Sequence, residues 1–343
     1  MKLNSESRYL SKNPRDERIK AVLLATFISL ASIIIILKYT NVNVSWQMIS
    51  QVDGRFLILG FILHVSSWFF YSIRLKLLTS MAGHKISFRL SLKTTLASNF
   101  VASITPSSAG GEPVRIKMLA DDGMSYGSAT AVAVGERLMD SVFFVAALAL
   151  FLIASGFFTG FGLEIGAIFL VILVLFLTFL WQLVVRPDRI ARLMEWIKKK
   201  TGNRPIVLSI EREVWLFRDA GIQLARETLR RTPVLAAVTT LIWMCDFLVP
   251  SVLLIGMGAK PNFLLSITAQ IILAIIGLLP LTPGGSGVAE LSMSYLYSMF
   301  VSPVLLVPLV VLWRLITYFF NIVVGDPYRS LDYDMEKIEW LEI

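Results

Sequence analysis

The chain has 343 residues, 56% of them hydrophobic, and a mean hydropathy of +0.71, well above ordinary globular usage. A single cysteine, Cys245, excludes an intrachain disulfide and a cysteine metal cluster, and His64 and His84 stand too far apart for a paired zinc motif. The net charge of +8 collects in segments beside apolar stretches, which suits an anionic membrane surface rather than nucleic acid.

Several apolar runs reach the roughly 20 residues that cross a hydrocarbon core, and the short alternating segments of a β-barrel are absent. The expected fold is all-α: a polytopic helical membrane protein with about six spanning helices and two re-entrant helical hairpins. A basic lead (Lys2, Arg8, Lys12, Arg15, Arg18, Lys20) precedes span one, about 19–38. Its apolar core is too long for a cleaved signal peptide, so an uncleaved span is expected. Span two covers about 56–78. The next apolar stretch, about 92–104, is too short to cross alone and runs into Thr105-Pro106 and Gly110-Gly111, so 92–119 reads as a hairpin that enters, breaks and leaves. Spans three and four follow at about 129–153 and 165–185. The polar stretch 186–232 reads as two basic amphipathic helices parted at Asn203-Arg204-Pro205. One carries Ile190, Leu193, Met194 and Ile197 on a face, the other Ile210, Val214, Phe217 and Leu224. They suit either an anionic headgroup surface or a solvated linker packed on the bundle. Span five covers about 233–257, a second broken hairpin 264–300, span six 304–324, and a polar tail 326–343.

Lysine and arginine near the span ends orient the chain. The N-terminal lead, the segment after span two (Arg74, Lys76, Lys85, Arg89, Lys93) and the 186–232 stretch are all basic, so both termini are expected in the cytoplasm. The two hairpins then enter from opposite sides. The expected organisation is one membrane domain, 1–343, built as an inverted repeat: about 56–153 and about 233–324, joined by the 186–232 linker. Such repeats place a site between their broken helices.

The repeat is also legible in residues. Thr105-Pro106-Ser107-Ser108-Ala109-Gly110-Gly111-Glu112 is followed by Arg137, and Thr282-Pro283-Gly284-Gly285-Ser286-Gly287-Val288-Ala289-Glu290 by Arg314. Threonine and arginine lie 32 positions apart in each copy (105 to 137, 282 to 314). Charged side chains beside such breaks are expensive in a bilayer and mark function. Arg137 and Arg314 are the candidate phosphate ligands, since a guanidinium keeps its charge and offers a fork of donors. Glu112 and Glu290 either cap their own helix starts or act as proton or cation partners. Glu136 joins this charge balance, and Asp140, three residues after Arg137, can neutralise it on one helix face. Arg314 needs a remote partner, Glu290 or Asp246. Asp246 is a proton-coupling carboxylate or an arginine counter-ion. Asn99, Thr105 and Thr282 either satisfy broken backbone or line a polar path. His64 reads as a hydrogen-bonded packing histidine in preference to a proton relay.

Ser98-Asn99-Phe100, the two break motifs, Gly135-Glu136-Arg137, Leu279-Pro280-Leu281 and Trp313-Arg314 resemble the lysylphosphatidylglycerol synthase integral-membrane family, also called flippase-like, over about residues 20–325. Its members include the membrane half of the bacterial multiple peptide resistance factor. The resemblance implies translocation of an anionic phospholipid or polyprenyl-phosphate-linked lipid across the cytoplasmic membrane. It also implies that this chain, with its short tail, is not an aminoacyl-transferase enzyme. The alternatives are a membrane-embedded enzyme that transfers a sugar or headgroup onto a lipid phosphate, and an accessory subunit of a lipid synthase. No metal or cofactor is expected. Membrane lipids, a separate synthase or glycosyltransferase and a second copy of the chain are compatible partners.

Overall fold

A computed structural model describes residues 27–28, 31, 34–35, 52–105, 110–156, 159–185, 187–202, 204–278, 282 and 285–325. Span one for the most part, the tail 326–343 and the tips of both breaks (106–109, 279–281 and 283–284) lie outside the described residues.

All regular structure among the described residues is helical. The elements are α1 (Gly54–Met81), α2 (Phe88–Ile104), α3 (Gly111–Asp121), α4 (Tyr126–Ser155), α5 (Thr159–Val185), α6 (Pro187–Thr201), α7 (Pro205–Gly256), α8 (Phe263–Gly277), α9 (Val288–Ser298) and α10 (Pro303–Arg314). A π-helical turn, Leu315–Phe319, carries α10 into α11 (Phe320–Gly325). Five of these segments are long and apolar enough to cross a membrane: Gly54–Met81, Tyr126–Ser155, Gly162–Gln182, Pro205–Gly256 and Pro303–Gly325. They coincide with spans two to six of the sequence reading. The order long, short, short, long occurs twice, as α1–α2–α3–α4 and as α7–α8–α9–α10/α11. The short pairs are the two expected hairpins.

Polar caps start these helices where the sequence changes character. Asp53 accepts from the Arg55 amide before α1, Ser87 from Leu90 before α2, Ser125 from Ser128 before α4 and Asn262 from Leu265 before α8. Each satisfies one of the donors that a helix start leaves unpaired. Outward faces are apolar. On α5, Leu170, Val171, Ile172, Leu175 and Phe179 are all exposed, an arrangement stable only where the surroundings are hydrocarbon.

The sequence reading differs from the structure at Pro233. It parts a second linker helix from span five there, but α7 runs unbroken through Pro233 for 52 residues. Proline removes one backbone donor and frees the carbonyl four residues earlier. Thr232 sits beside it, and its hydroxyl donates to the Thr228 carbonyl at 2.8 Å and to that of Leu229 at 3.4 Å. The hydroxyl's main bond is thus to Thr228, and the carbonyl that Pro233 frees, that of Leu229, receives only the longer contact. The other boundary, at Asn203-Arg204-Pro205, falls where it was expected.

α7 is the spine. α1 and α4 pack along it, and the amide of Asp53 donates to the Gly256 carbonyl at 2.9 Å, fixing the start of α1 to the end of α7. At Gly127 the close approach of α4 to α7 is absolute: a Cβ there would lie 2.0 Å from the Glu213 carbonyl oxygen. The Gly127 amide also donates to Glu213 Oε2 at 2.6 Å. One apolar cluster, including Phe144, Leu253, Ile271, Met293 and Ile316, joins α4 to the second half of the chain; a smaller one holds Leu75, Leu78, Leu119, Val132 and Leu224. Gly127→Val, which forces these backbones apart, is expected to destabilise the fold by about 1–3 kcal/mol, read as a lower unfolding midpoint of the detergent-solubilised chain.

Candidate functional site

The two hairpins and the helices around them enclose a cleft of about 560 Å³. Its wall alternates charge, hydroxyl and aromatic groups. Asn99, Glu112, Arg115, Arg137, Asp140, Asp246 and Arg314 line it together with His64, Tyr71, Trp243, Trp313 and Tyr318. Six of the ten site residues read from sequence therefore reach one cavity. Glu136 and Glu290 stand behind it as partners of its arginines. Thr105 and Thr282 do not line it.

Thr105 has a structural task. Its hydroxyl donates to the Val101 carbonyl at 2.8 Å and accepts from the Gly110 amide at 3.0 Å, clamping the two arms of the first hairpin across their break. Gly111 lets the arms close, since a Cβ there would lie 3.0 Å from the Ser98 carbonyl oxygen. The Thr282 hydroxyl is buried and has no hydrogen-bond partner among the described residues.

The second break builds a sealed ion pair. Gly287, at φ +87°, turns the chain into α9, and its amide donates to Glu290 Oε2 at 2.7 Å. Glu290 therefore caps its own helix, one of the two roles open from sequence. Its other oxygen accepts from Arg314 Nε at 2.9 Å, and Arg314 also donates to Ser286 Oγ at 3.0 Å. The Arg314 guanidinium lies 4.0 Å from the centre of the Tyr318 ring, a cation–π contact strengthened by desolvation. Tyr318 in turn donates to the Ser103 carbonyl at 2.9 Å, tying the last helix to the first hairpin. The side chains of Glu290 and Arg314 are 0% and 5% exposed.

The matching pair of the first copy has a similar Nε-to-carboxylate separation but is more exposed and makes no hydrogen bond among the described residues. Arg137 Nε lies 3.1 Å from Glu112 Oε1, with side chains 39% and 34% exposed. Asp140 Oδ2 stands 3.4 Å from Arg137. Alignment is poor in both contacts, so the Arg137 guanidinium donates no hydrogen bond to any described residue.

Two arginines that the sequence reading did not single out as site residues complete the cluster. Arg74, read as a basic flank of span two, is fully buried. It grips Asp140 with two nitrogens, at 2.6 and 3.2 Å, and donates to Thr239 Oγ1 at 3.2 Å. Trp243 Nε1 donates to the same Asp140 oxygen at 2.9 Å. Asp140 is thus first the counter-ion of Arg74 and only second that of Arg137. Arg115 donates to Glu136 Oε2 at 2.5 Å and lies 3.7 Å from Glu112. Among the described residues Asp246 meets no guanidinium; its partner there is His64, 2.8 Å away. Among the described residues no three His, Cys, Asp or Glu side chains gather as metal ligands.

Chemically, the cleft offers donors within an otherwise apolar bundle. Trp68 Nε1, Ser98 Oγ, Arg115 Nε and Arg137 Nε are withdrawn from solvent without a hydrogen-bond partner among the described residues, and all four side chains line the cavity. Buried polar groups are normally satisfied, so these donors, together with the unpaired acceptor Glu112 Oε2 on the same wall, fit a polar guest.

A family model described as the lysylphosphatidylglycerol synthase TM region matches residues 22–325. A UPF0104 membrane protein of Archaeoglobus fulgidus is 41% identical over 93% of this chain and 99% of its own length. UPF0104 membrane proteins of Methanothermobacter thermautotrophicus and Pyrococcus horikoshii are 25% and 22% identical, over 85% and 88% of this chain and 88% and 94% of their own.

The geometry separates two kinds of arginine. Arg74→Ala leaves Asp140 buried without its main partner and is expected to cost about 3–5 kcal/mol. Arg137→Ala, removing an exposed and loosely held group, should cost no more than about 1 kcal/mol. Unfolding midpoints of the two purified variants measure the difference.

Proposed function

The chain belongs to the lysylphosphatidylglycerol synthase TM-region family, and on that membership and the open Glu112–Arg137 pair we propose that it carries an anionic lipid headgroup across the cytoplasmic membrane. The cargo class is a phospholipid or a polyprenyl-phosphate-linked lipid, and both termini face the cytoplasm.

One observation carries this reading. Two Arg–Glu pairs stand at matched positions of the repeat, one opening on the cleft at 39% and 34% exposure and the other sealed at 5% and 0%. Arg137 has a charged fork of donors with no hydrogen bond made, which is what a phosphate monoester or diester requires. The headgroup passes along Asn99, Ser98, Ser141 and Tyr71 while the hydrocarbon tails remain in lipid. Translocation then exchanges the roles of the two pairs: as the first seals, the second opens to the other side, the alternating access that broken-helix repeats allow.

Arg137 is the substrate ligand in this scheme. Loss of a hydrogen bond to a charged group costs about 1.5–3 kcal/mol, so Arg137→Ala should slow transfer of fluorescent phosphatidylglycerol roughly 10- to 150-fold in liposomes holding the purified chain. Arg137→Lys keeps the charge but not the fork and should fall between. A folded Arg137→Ala variant that transfers this lipid at the wild-type rate would overturn the assignment.

A further inference from the structure

Every guanidinium in and behind the cleft has its own carboxylate: Arg74 with Asp140, Arg115 with Glu136, Arg137 with Glu112 and Arg314 with Glu290. The four pairs sum to zero. A fifth carboxylate, Asp246 on α7, also lines the cleft, and its hydrogen-bond partner among the described residues is His64 on α1.

The protonation of that pair can be read from its neighbours. Asn321 Nδ2 donates to the Thr317 carbonyl at 2.7 Å. This turns Asn321 Oδ1, an acceptor, toward His64 Nε2 at 3.3 Å, an arrangement that favours hydrogen on Nε2. On the opposite side of the ring, Nδ1 lies 2.8 Å from Asp246 Oδ1. An unprotonated Nδ1 against an ionised carboxylate would set two lone pairs face to face. The contact therefore needs one further proton, on Nδ1 or on Asp246. Held this way, the pair is neutral and the cleft as a whole is neutral. Without that proton the cleft carries a net negative charge.

We propose that His64 and Asp246 form a proton site loaded together with the anionic headgroup, so that one proton travels with each single negative charge. This rests on the lipid-translocation reading above. The physical reason is electrostatic: an anion enters a neutral cleft more readily than a negative one, and by linkage its presence raises proton occupancy in turn. The other ionisable groups facing the cleft do not supply this proton. Glu112 and Asp140 already face arginines, and Arg115, Arg137 and Arg314 stay charged at all relevant pH. Tyr71, Tyr318 and the neighbouring Cys245 are neutral donors with alkaline ordinary values. The sign follows directly. The pair is loaded at low pH and empties as pH rises, so affinity for an anion falls on going from acid to alkaline solution.

The experiment uses the full chain in phosphatidylcholine liposomes, with fluorescent phosphatidylglycerol as anionic probe and fluorescent phosphatidylcholine as zwitterionic control. Transfer of the anionic probe is expected to drop roughly tenfold or more between about pH 5 and pH 9. An imposed pH gradient should bias its distribution between leaflets, and a membrane potential should not, because proton and headgroup cross as a neutral unit. Asp246→Asn, a permanently uncharged stand-in for the loaded site, should flatten the profile and raise transfer at the alkaline end; His64→Gln should flatten it at a low level. Free glycerol phosphate that competes with the probe, with the same pH dependence, would assign the coupling to the phosphate itself; lack of competition would assign it to the intact lipid. Anionic transfer that is insensitive to pH, or that keeps its profile in Asp246→Asn, overturns the proton site and leaves the translocation reading standing. No anionic transfer at any pH overturns both. The wild-type profile and the pH-gradient arm decide the matter if a variant does not fold.

Discussion

Pairing of buried charge in an apolar bundle is the constraint on which the rest of this structure depends. An unpaired ion in such surroundings costs several kcal/mol, yet the chain gathers four arginines and five acids around one cleft. It manages this by giving each arginine a carboxylate from a different helix. Arg74 of α1 takes Asp140 of α4, Arg115 of α3 takes Glu136 of α4, and Arg314 of α10 takes Glu290 of α9. The pairs act as registration points between helices whose apolar faces alone would slide over one another. Van der Waals packing of small residues then sets the separation, as at Gly127 against α7 and Gly111 against α2.

The broken hairpins place charge where continuous helices could not. A helix start brings unpaired backbone donors and a positive dipole end. The second break spends them on Glu290, whose carboxylate joins the Gly287 amide to Arg314. The π turn that begins after Arg314 widens the last helix where Tyr318 lies beneath the guanidinium. Departures of this kind from regular helix are frequent at functional sites.

Much of this was legible in the sequence, for physical reasons that can be named. Spans two to six are apolar runs of bilayer length, and proline and glycine mark both breaks. The shared 32-residue threonine-to-arginine spacing marks two equivalent arginines; of the partners open to Arg314 in the sequence the structure pairs it with Glu290, while Arg137 has Glu112 beside it as well as the expected Asp140. What escaped was set by contacts remote in sequence. Arg74 sits at the end of an apolar run, where arginine commonly anchors to the interface, and nothing local reveals Asp140, 66 positions away. His64 looked like packing because Asp246 and Asn321 lie 182 and 257 positions further on. α7 runs on through Pro233, where the residue type alone argues for a break.

Why one pair is open and its counterpart sealed can be traced to three substitutions between the copies. Counting from the paired residues, Arg115 stands three after Glu112, whereas Met293 stands three after Glu290. Glu136 precedes Arg137 and Trp313 precedes Arg314; Asp140 follows Arg137 by three and Thr317 follows Arg314 by three. The first copy thus adds one base and two acids around its pair, and the second puts two large apolar side chains and a hydroxyl in their place. Met293 is fully buried and Trp313 nearly so, and neither offers Arg314 or Glu290 a competing charge. In the first copy Asp140 is drawn to Arg74 and Glu136 to Arg115. Arg137 is left with misaligned contacts and an open side. The asymmetry is therefore written in the sequence around an otherwise equivalent pair. An anion presented to the cleft meets one guanidinium free to bond and another already committed.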